Sequence, residues 1–338
     1  YYSGRAPLEA AAQGISLNPG DAAFRCNNVA ISEGGDFMDR TILSHSAGGI
    51  GGKDAMELVN YLFAHPEFSK LAERAGMRIY PANSYRHIVV MESTDISGLK
   101  LIPPHDHINE RVGDNLPIGH PVGEVLIEIM ARANEILERH PINEERRAEG
   151  KLPANSIWFW AEGTAAALPG FKEQYGRSGA VISAVPLCHG IARLIGLDVI
   201  HIPGATGELE TNYEGKVRGA LEALKDHDFV AVHLEGPDEC THNGDLKGKL
   251  QAIEWLDSRI VAPLLKGLED SGEDFRMLIL SDHKTLTESL LHDGDPVPFV
   301  LYDSRTQKGS GLPYTERNGE TGMRLEAGTD LMPLLFEL

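Results

Sequence analysis

The ten residues His233–His242, HLEGPDECTH, follow five that read as a buried strand, DFVAV (228–232). Within this span the chain gathers Glu235, Asp238, Glu239, Cys240 and His242. A hydrophobic strand that gives way to carboxylates and an imidazole suits an open α/β sheet, whose ligands bind beyond the carboxyl ends of the strands. Working outward, GLDVIHIPG (196–204), FRMLILSDH (275–283) and PFVLYD (298–303) are also short, apolar and mostly rich in β-branched residues. Strands buried on both faces of a parallel sheet carry this composition. Between the second and third of the four strands, an apolar stripe of Leu250, Ile253, Leu256, Ile260 and Leu264 predicts a helix from about Leu246, with Asp245 as its N-cap. Strand–helix–strand units of this kind predict an α/β class.

The middle of the chain breaks this alternation. Val122, Val125, Leu126, Ile129, Ala133, Ile136 and Leu137 predict a helix over Val122–Arg139, stopped at Pro141. Around it lie a candidate strand, YRHIVVME (85–92), a polar loop (101–121) and the charged stretch NEERRAEGK (143–151). These read as a separate α+β unit.

Composition narrows the function. With 31 Lys and Arg against 50 Asp and Glu, the net charge is −19, which excludes a phosphate backbone as partner. A small anionic substrate would need local cations. Three dispersed cysteines (Cys26, Cys188, Cys240) form no disulfide framework and suit a reducing cytoplasm. No apolar run reaches the roughly 18 residues of a membrane span. The first residue is Tyr1 rather than Met, which reads as a start inside a longer chain. GGIGGKDA (48–55) has no Ser or Thr after its Lys and reads as a turn, not a P-loop.

Two strands end in metal-ligand types. After DFVAV come Asp238 and His242, four apart; after FRMLIL come Asp282 and His283, with His292 nine residues on, before the last strand. Each has a plain reading alone, as loop polarity, a helix cap or a satisfied histidine. Together at successive strand ends, five oxygen and nitrogen donors exceed what one open site takes from protein, so two Zn²⁺ or Mn²⁺ ions are expected.

At these motifs the chain resembles the archaeal-type cofactor-independent phosphoglycerate mutases of the alkaline phosphatase superfamily. HLEGPDECTH, SDHKTLTESLLHDGDPVPF (281–299), GDAAFRCNNV (20–29), GAVISAV (179–185) and GATGELETNYEGK (204–216) carry the resemblance, with YYSGRAPLEAAAQGISL (1–17). It implies an alkaline-phosphatase-like core of a mainly parallel sheet flanked by helices, residues 1–18 and 179–338, with an inserted α+β substrate-binding cap, 19–178. It implies Asp238, His242 and His292 around one metal, and Asp282 and His283 at the other. The ions would be manganese or zinc, with magnesium or cobalt as alternatives, and no 2,3-bisphosphoglycerate is needed. A further Asp and the nucleophilic Ser or Thr are expected upstream of Tyr1. Arg25, Arg40, Arg86 and His87 are the expected substrate-binding residues, with arginine suited to carboxylate and phosphate.

The implied reaction interconverts 3- and 2-phosphoglycerate through a phosphoenzyme, in the cytoplasm, with a homo-oligomeric state left open. Rival expectations are a phosphohydrolase or another phosphotransferase of the superfamily, a group that has carried a homoserine kinase label, and a catalytically dead metal-binding relative. Two departures from the family, IWFWAEG (157–163) and Leu286, bear on the cap and substrate preference and leave the metal motifs intact.

Overall fold

A computed structural model of the chain describes residues 4–165, 168–306 and 309–337. It divides into two compact units, Tyr1–Leu168 and Pro169–Leu338. The first holds, in chain order, α1 (Arg5–Ala12), β1 (Ala22–Ile31), β2 (Ile42–Ser44), α2 (Gly52–Ala64), α3 (Pro66–Arg74), β3 (Met77–Tyr80), β4 (Arg86–Met91), α4 (Val122–Leu137), α5 (Pro141–Ala148) and β5 (Ser156–Thr164). Its sheet is antiparallel and centred on β1, which pairs with β4 on one side and β5 on the other. All ten β1 residues are buried.

Period-two alternation sorts β1 between two faces. Ala22, Phe24 and Cys26 join the large core with Val89, Met91 and residues of α4, including Leu126, Ile129 and Met130. Ala23 turns to the opposite side, where Ala6 and Ala10 of α1 pack with Ile88 and Val90. The middle helix therefore covers this unit's own sheet.

Where β5 passes Ala23 and Arg25 the register slips, and Ala161 takes a left-handed φ of 54°. This β-bulge re-aims the end of β5. Gly4 lies against Glu162 there, at φ 112°, and a Cβ on it would collide with the Glu162 carbonyl.

The second unit holds α6 (Phe171–Tyr175), β6 (Gly179–Ile182), α7 (Pro186–Leu194), β7 (Asp198–Val199), α8 (Tyr213–Ala223), β8 (Phe229–Val232), α9 (Gly236–His242), α10 (Leu246–Trp255), α11 (Ala262–Ser271), β9 (Arg276–Leu280), β10 (Lys284–Thr285), β11 (His292–Asp293), β12 (Phe299–Asp303), α12 (Glu316–Gly319) and α13 (Leu331–Phe336). β6 sits between β7 and β8, both parallel to it, with α7 and α8 as the crossovers. The Asp245 side chain caps α10 by accepting from the Gly248 amide at 2.8 Å.

Three expectations need correcting. β9 and β12 pair antiparallel with each other rather than extending the parallel ladder. A parallel return needs a crossover, usually helical, and the stretch between these strands is spent on the small β10–β11 ladder. Among the described residues β8 ladders only with β6 and β9 only with β12, and every residue of both strands keeps some exposure, so neither strand is fully buried. A wide π turn over Leu256–Val261 separates α10 from α11 and shifts the helical phase. Leu256, Ile260 and Leu264 then pack with Tyr213 and Val217, while Leu250 and Ile253 stay exposed. Finally, the unit boundary falls at Leu168/Pro169 instead of residue 178, and α1 packs with the first unit, so residues 5–12 are not part of the second. Among the described residues no helix is long and apolar enough to cross a membrane.

Candidate metal centre

β8 ends at Val232, and the chain turns within three residues into α9, with Pro237 in its first turn. Asp238 and His242 stand at i and i+4 and so share one helix face. Asp238 Oδ2 lies 3.3 Å from His242 Nε2. The β10–β11 ladder sets Thr285 opposite His292, and His292 Nε2 comes 3.3 Å from Asp238 Oδ1 and 2.9 Å from His242 Nε2. Donor atoms of Asp238, His242 and His292 all lie within 4.8 Å of one another.

The surroundings orient these donors. His242 Nδ1 lies 2.7 Å from the Leu290 carbonyl, so it carries the proton and leaves the Nε2 lone pair free. Leu290 holds a left-handed φ of 61°, a strained conformation in the loop that supplies this carbonyl. The Thr285 hydroxyl donates to Asp238 Oδ1. Neutral imidazoles and a carboxylate, oriented by hydrogen bonds behind them, fit a divalent cation of the zinc or manganese type.

Asp282 and His283 adjoin this group. The His283 ring centroid lies 3.9 Å from that of His292, and Asp282 Oδ2 is 3.5 Å from His283 Nε2. A second cluster, Glu235 with Asp238 and Glu239, also has its carboxylates within 4.8 Å. Burial pushes the Glu235 carboxyl up, and the charges of Glu239, Asp238 and Asp282 push it further. Glu235 and Thr285 join the site from inside the motifs quoted above; the crowding of carboxylates is the sequence signal for Glu235, and Thr285 has none, since strand pairing brings it in.

The four expected substrate residues all belong to the first unit and have different environments. Arg25 is buried, donates from Nε to Glu9 at 2.8 Å, pairs with Glu9 through Nη2 as well, and stacks 4.4 Å over Trp160. Arg86 lies near the same ring, 5.6 Å from its centroid, and its buried Nε has no hydrogen-bond partner. His45 and His105 lie nearby: their rings are 5.9 Å apart, and His105 is 5.0 Å from Trp160. Arg25 and Arg86 are thus brought together as a cationic cluster over one indole.

Arg40 and His87 do other things. Arg40 donates to Glu138 at 2.7 Å and reaches the Ser32 carbonyl, tying α4 to the end of β1. His87 is fully buried; its Nδ1 accepts from the Ala82 amide at 3.0 Å and Nε2 donates to Asn28 at 2.7 Å. Both ring nitrogens are committed inside the protein, which corrects the expectation that His87 meets a ligand. Burial pushes the His87 pKa down from 6.5 to about 4. The unfolded chain therefore takes up this proton first, and stability should fall as pH drops from 6.5 to 4, by about 3 kcal/mol. Urea unfolding across that window should show the loss, and His87→Gln should flatten it.

The whole chain has relatives. Residues 1–143 match the family model described as 2,3-bisphosphoglycerate-independent phosphoglycerate mutase, and residues 114–338 match that of the metalloenzyme superfamily. The 2,3-bisphosphoglycerate-independent phosphoglycerate mutase of Methanosarcina acetivorans is 44% identical over 342 residues, spanning 100% of this chain and 82% of its own. The protein of that name from Methanothrix thermoacetophila is 45% identical, covering 99% and 82%. The solved structure of the PH0037 protein from Pyrococcus horikoshii is similar at 28% identity with a TM-score of 0.73, over 99% of this chain and 78% of that one. On these matches the chain belongs to the 2,3-bisphosphoglycerate-independent phosphoglycerate mutases, within the metalloenzyme superfamily.

Proposed function

We propose that this protein is a metal-dependent isomerase that interconverts 3-phosphoglycerate and 2-phosphoglycerate through a phosphoenzyme, without 2,3-bisphosphoglycerate. The observation that carries the proposal is the convergence of Asp238, His242 and His292 donors within the region that matches the metalloenzyme superfamily. Asp238, His242 and His292 would together hold one cation, manganese or zinc, while Asp282 and His283 would serve a second. When bound, these cations supply positive charge against the transferring phosphoryl group.

The first unit would act as the substrate-binding cap. There Arg86, with an unpartnered Nε, offers planar donors to a carboxylate or phosphate, beside an Arg25 whose Nε and Nη2 are held by Glu9. A mutase must hold the glycerate while its phosphoryl group sits on the enzyme, whereas a phosphatase can release the alcohol at once. Arg86→Ala should therefore cut mutase turnover about a hundredfold, the worth of one desolvated charge-assisted bond, and spare hydrolysis of a small aryl phosphate. An enolase-coupled assay with Mn²⁺ and no bisphosphoglycerate reads the first activity, and aryl phosphate hydrolysis the second. Equal losses, or none, would remove Arg86 from the substrate site. Wild-type protein that only hydrolyses would favour a phosphohydrolase instead.

A further inference from the structure

Lys216 is the one lysine that is fully buried among the described residues, at 1% exposure, and nothing above gives it work. It stands in the first turns of α8, whose start is fixed by Asn212: the Asn212 side chain accepts from the Gly215 amide at 2.9 Å and donates to the Pro203 carbonyl at 2.8 Å. From there the Lys216 ammonium reaches beneath the end of β8 and donates to the His233 carbonyl at 3.1 Å. His233 is held on two other sides. Its amide donates to the Ile182 carbonyl at 2.8 Å, and its Nδ1 lies 3.1 Å from the Ser183 hydroxyl. This residue is the last fixed point before the chain enters the helix that carries Asp238 and His242.

The charge of Lys216 has a nearby reason as well. Burial pushes its pKa down, and the charge of Glu235 offsets this only in part. Glu235 is confined in turn, since Gly207 packs so closely that a Cβ there would lie 2.5 Å from its Oε2. Glu239, Asp238 and Asp282 crowd around Glu235 and repel its charge. A buried ammonium with a single hydrogen bond is costly to keep, and a methionine would fill the same space more cheaply. Its place under an acidic turn is what such a charge can repay.

We propose that Lys216 is a positioning residue for the metal centre: its ammonium pins the His233 carbonyl and offsets the carboxylates of the turn, so that Asp238 and His242 are already presented when a cation arrives. This rests on the reading of Asp238, His242 and His292 as metal ligands, and the test separates the two. Titrate Mn²⁺ calorimetrically into wild type, Lys216→Met and Lys216→Gln, and follow the unfolding midpoint of each in chelator. Wild type that binds no Mn²⁺ overturns the ligand reading and this inference with it. Given wild-type binding, folded Lys216→Met should bind about ten- to a hundredfold more weakly, the loss typical of groups behind metal ligands, with Lys216→Gln between. A merely structural lysine would lower the midpoint and leave the affinity of the folded chain alone. A loss under about fivefold in folded Lys216→Met overturns the proposal. Should only Lys216→Gln fold, the same threshold applies to it, and failure of both to fold assigns Lys216 to the fold and overturns the proposal.

Discussion

Asp238→Ala should weaken Mn²⁺ or Zn²⁺ binding by at least about a hundredfold while the metal-free chain stays folded. Asp238 is the only anion in the three-donor group, and its two oxygens face one imidazole each at 3.3 Å. Without it, two neutral rings remain, and two nitrogens alone hold a divalent ion poorly. The side chain is 23% exposed and lies among Glu235, Glu239 and Asp282, so its removal also relieves repulsion. The unfolding midpoint in chelator should therefore hold or rise, whereas the rise that wild type shows on adding metal should vanish. Asp238→Asn separates charge from shape: it keeps a group for the Thr285 hydroxyl to reach and should still lose most of the affinity. Calorimetric titration of the three proteins decides the point. Equal affinity in Asp238→Ala would place the metal elsewhere.

Glu9→Ala should destabilise the first unit by about 3 kcal/mol, because breaking a buried ion pair strands its other charge. The Arg25 side chain is 3% exposed and Glu9 19%, and the two carboxylate oxygens meet Nε and Nη2 on one edge of the guanidinium. Burial pushes the Glu9 carboxyl up, but the Arg25 hydrogen bonds, with Arg25, Arg5 and Arg86 as neighbouring charges, more than reverse this and leave it below the usual range. A lowered carboxyl pKa gives stability that is present above its unfolded value of 4.5 and lost as pH falls through the folded one. The Glu9→Ala deficit should accordingly be full near pH 7 and shrink in acid. In a double-mutant cycle, Arg25→Met should cost less in the Glu9→Ala background than in wild type. Additive losses in urea unfolding would show that the two charges do not support each other.

Local spacing puts Asp238 and His242 on one helix turn, since i and i+4 meet there, and the N-cap of α10 is plain from Asp245, but only the family resemblance groups the pair with His292 as ligands. His292 came from its place just before the last strand. What brings it in is the pairing of His292 with Thr285, which no periodicity encodes. The direction of β9 against β12 was hidden for the same reason: apolar runs such as FRMLIL and FVLYD say that a strand is covered and nothing about which way its neighbour runs. In the first unit, Arg25 and His87 looked alike, as polar residues on apolar strands. Their difference lies in partners that sequence does not place. Glu9 reaches Arg25 because α1 lies on that face of the sheet, and Asn28 and Ala82 close around His87 from a neighbouring strand and turn. RAPLEAAA has a small apolar face that would suit either unit, so its packing was settled by tertiary structure alone.

A divalent cation should sit where Asp238, His242 and His292 meet. Anomalous diffraction from crystals soaked in Mn²⁺ answers this directly. The expected result is a peak about 2.0–2.3 Å from an Asp238 carboxylate oxygen and from Nε2 of both histidines. A strong peak elsewhere in the second unit, with these three side chains unliganded at saturating Mn²⁺, would contradict it.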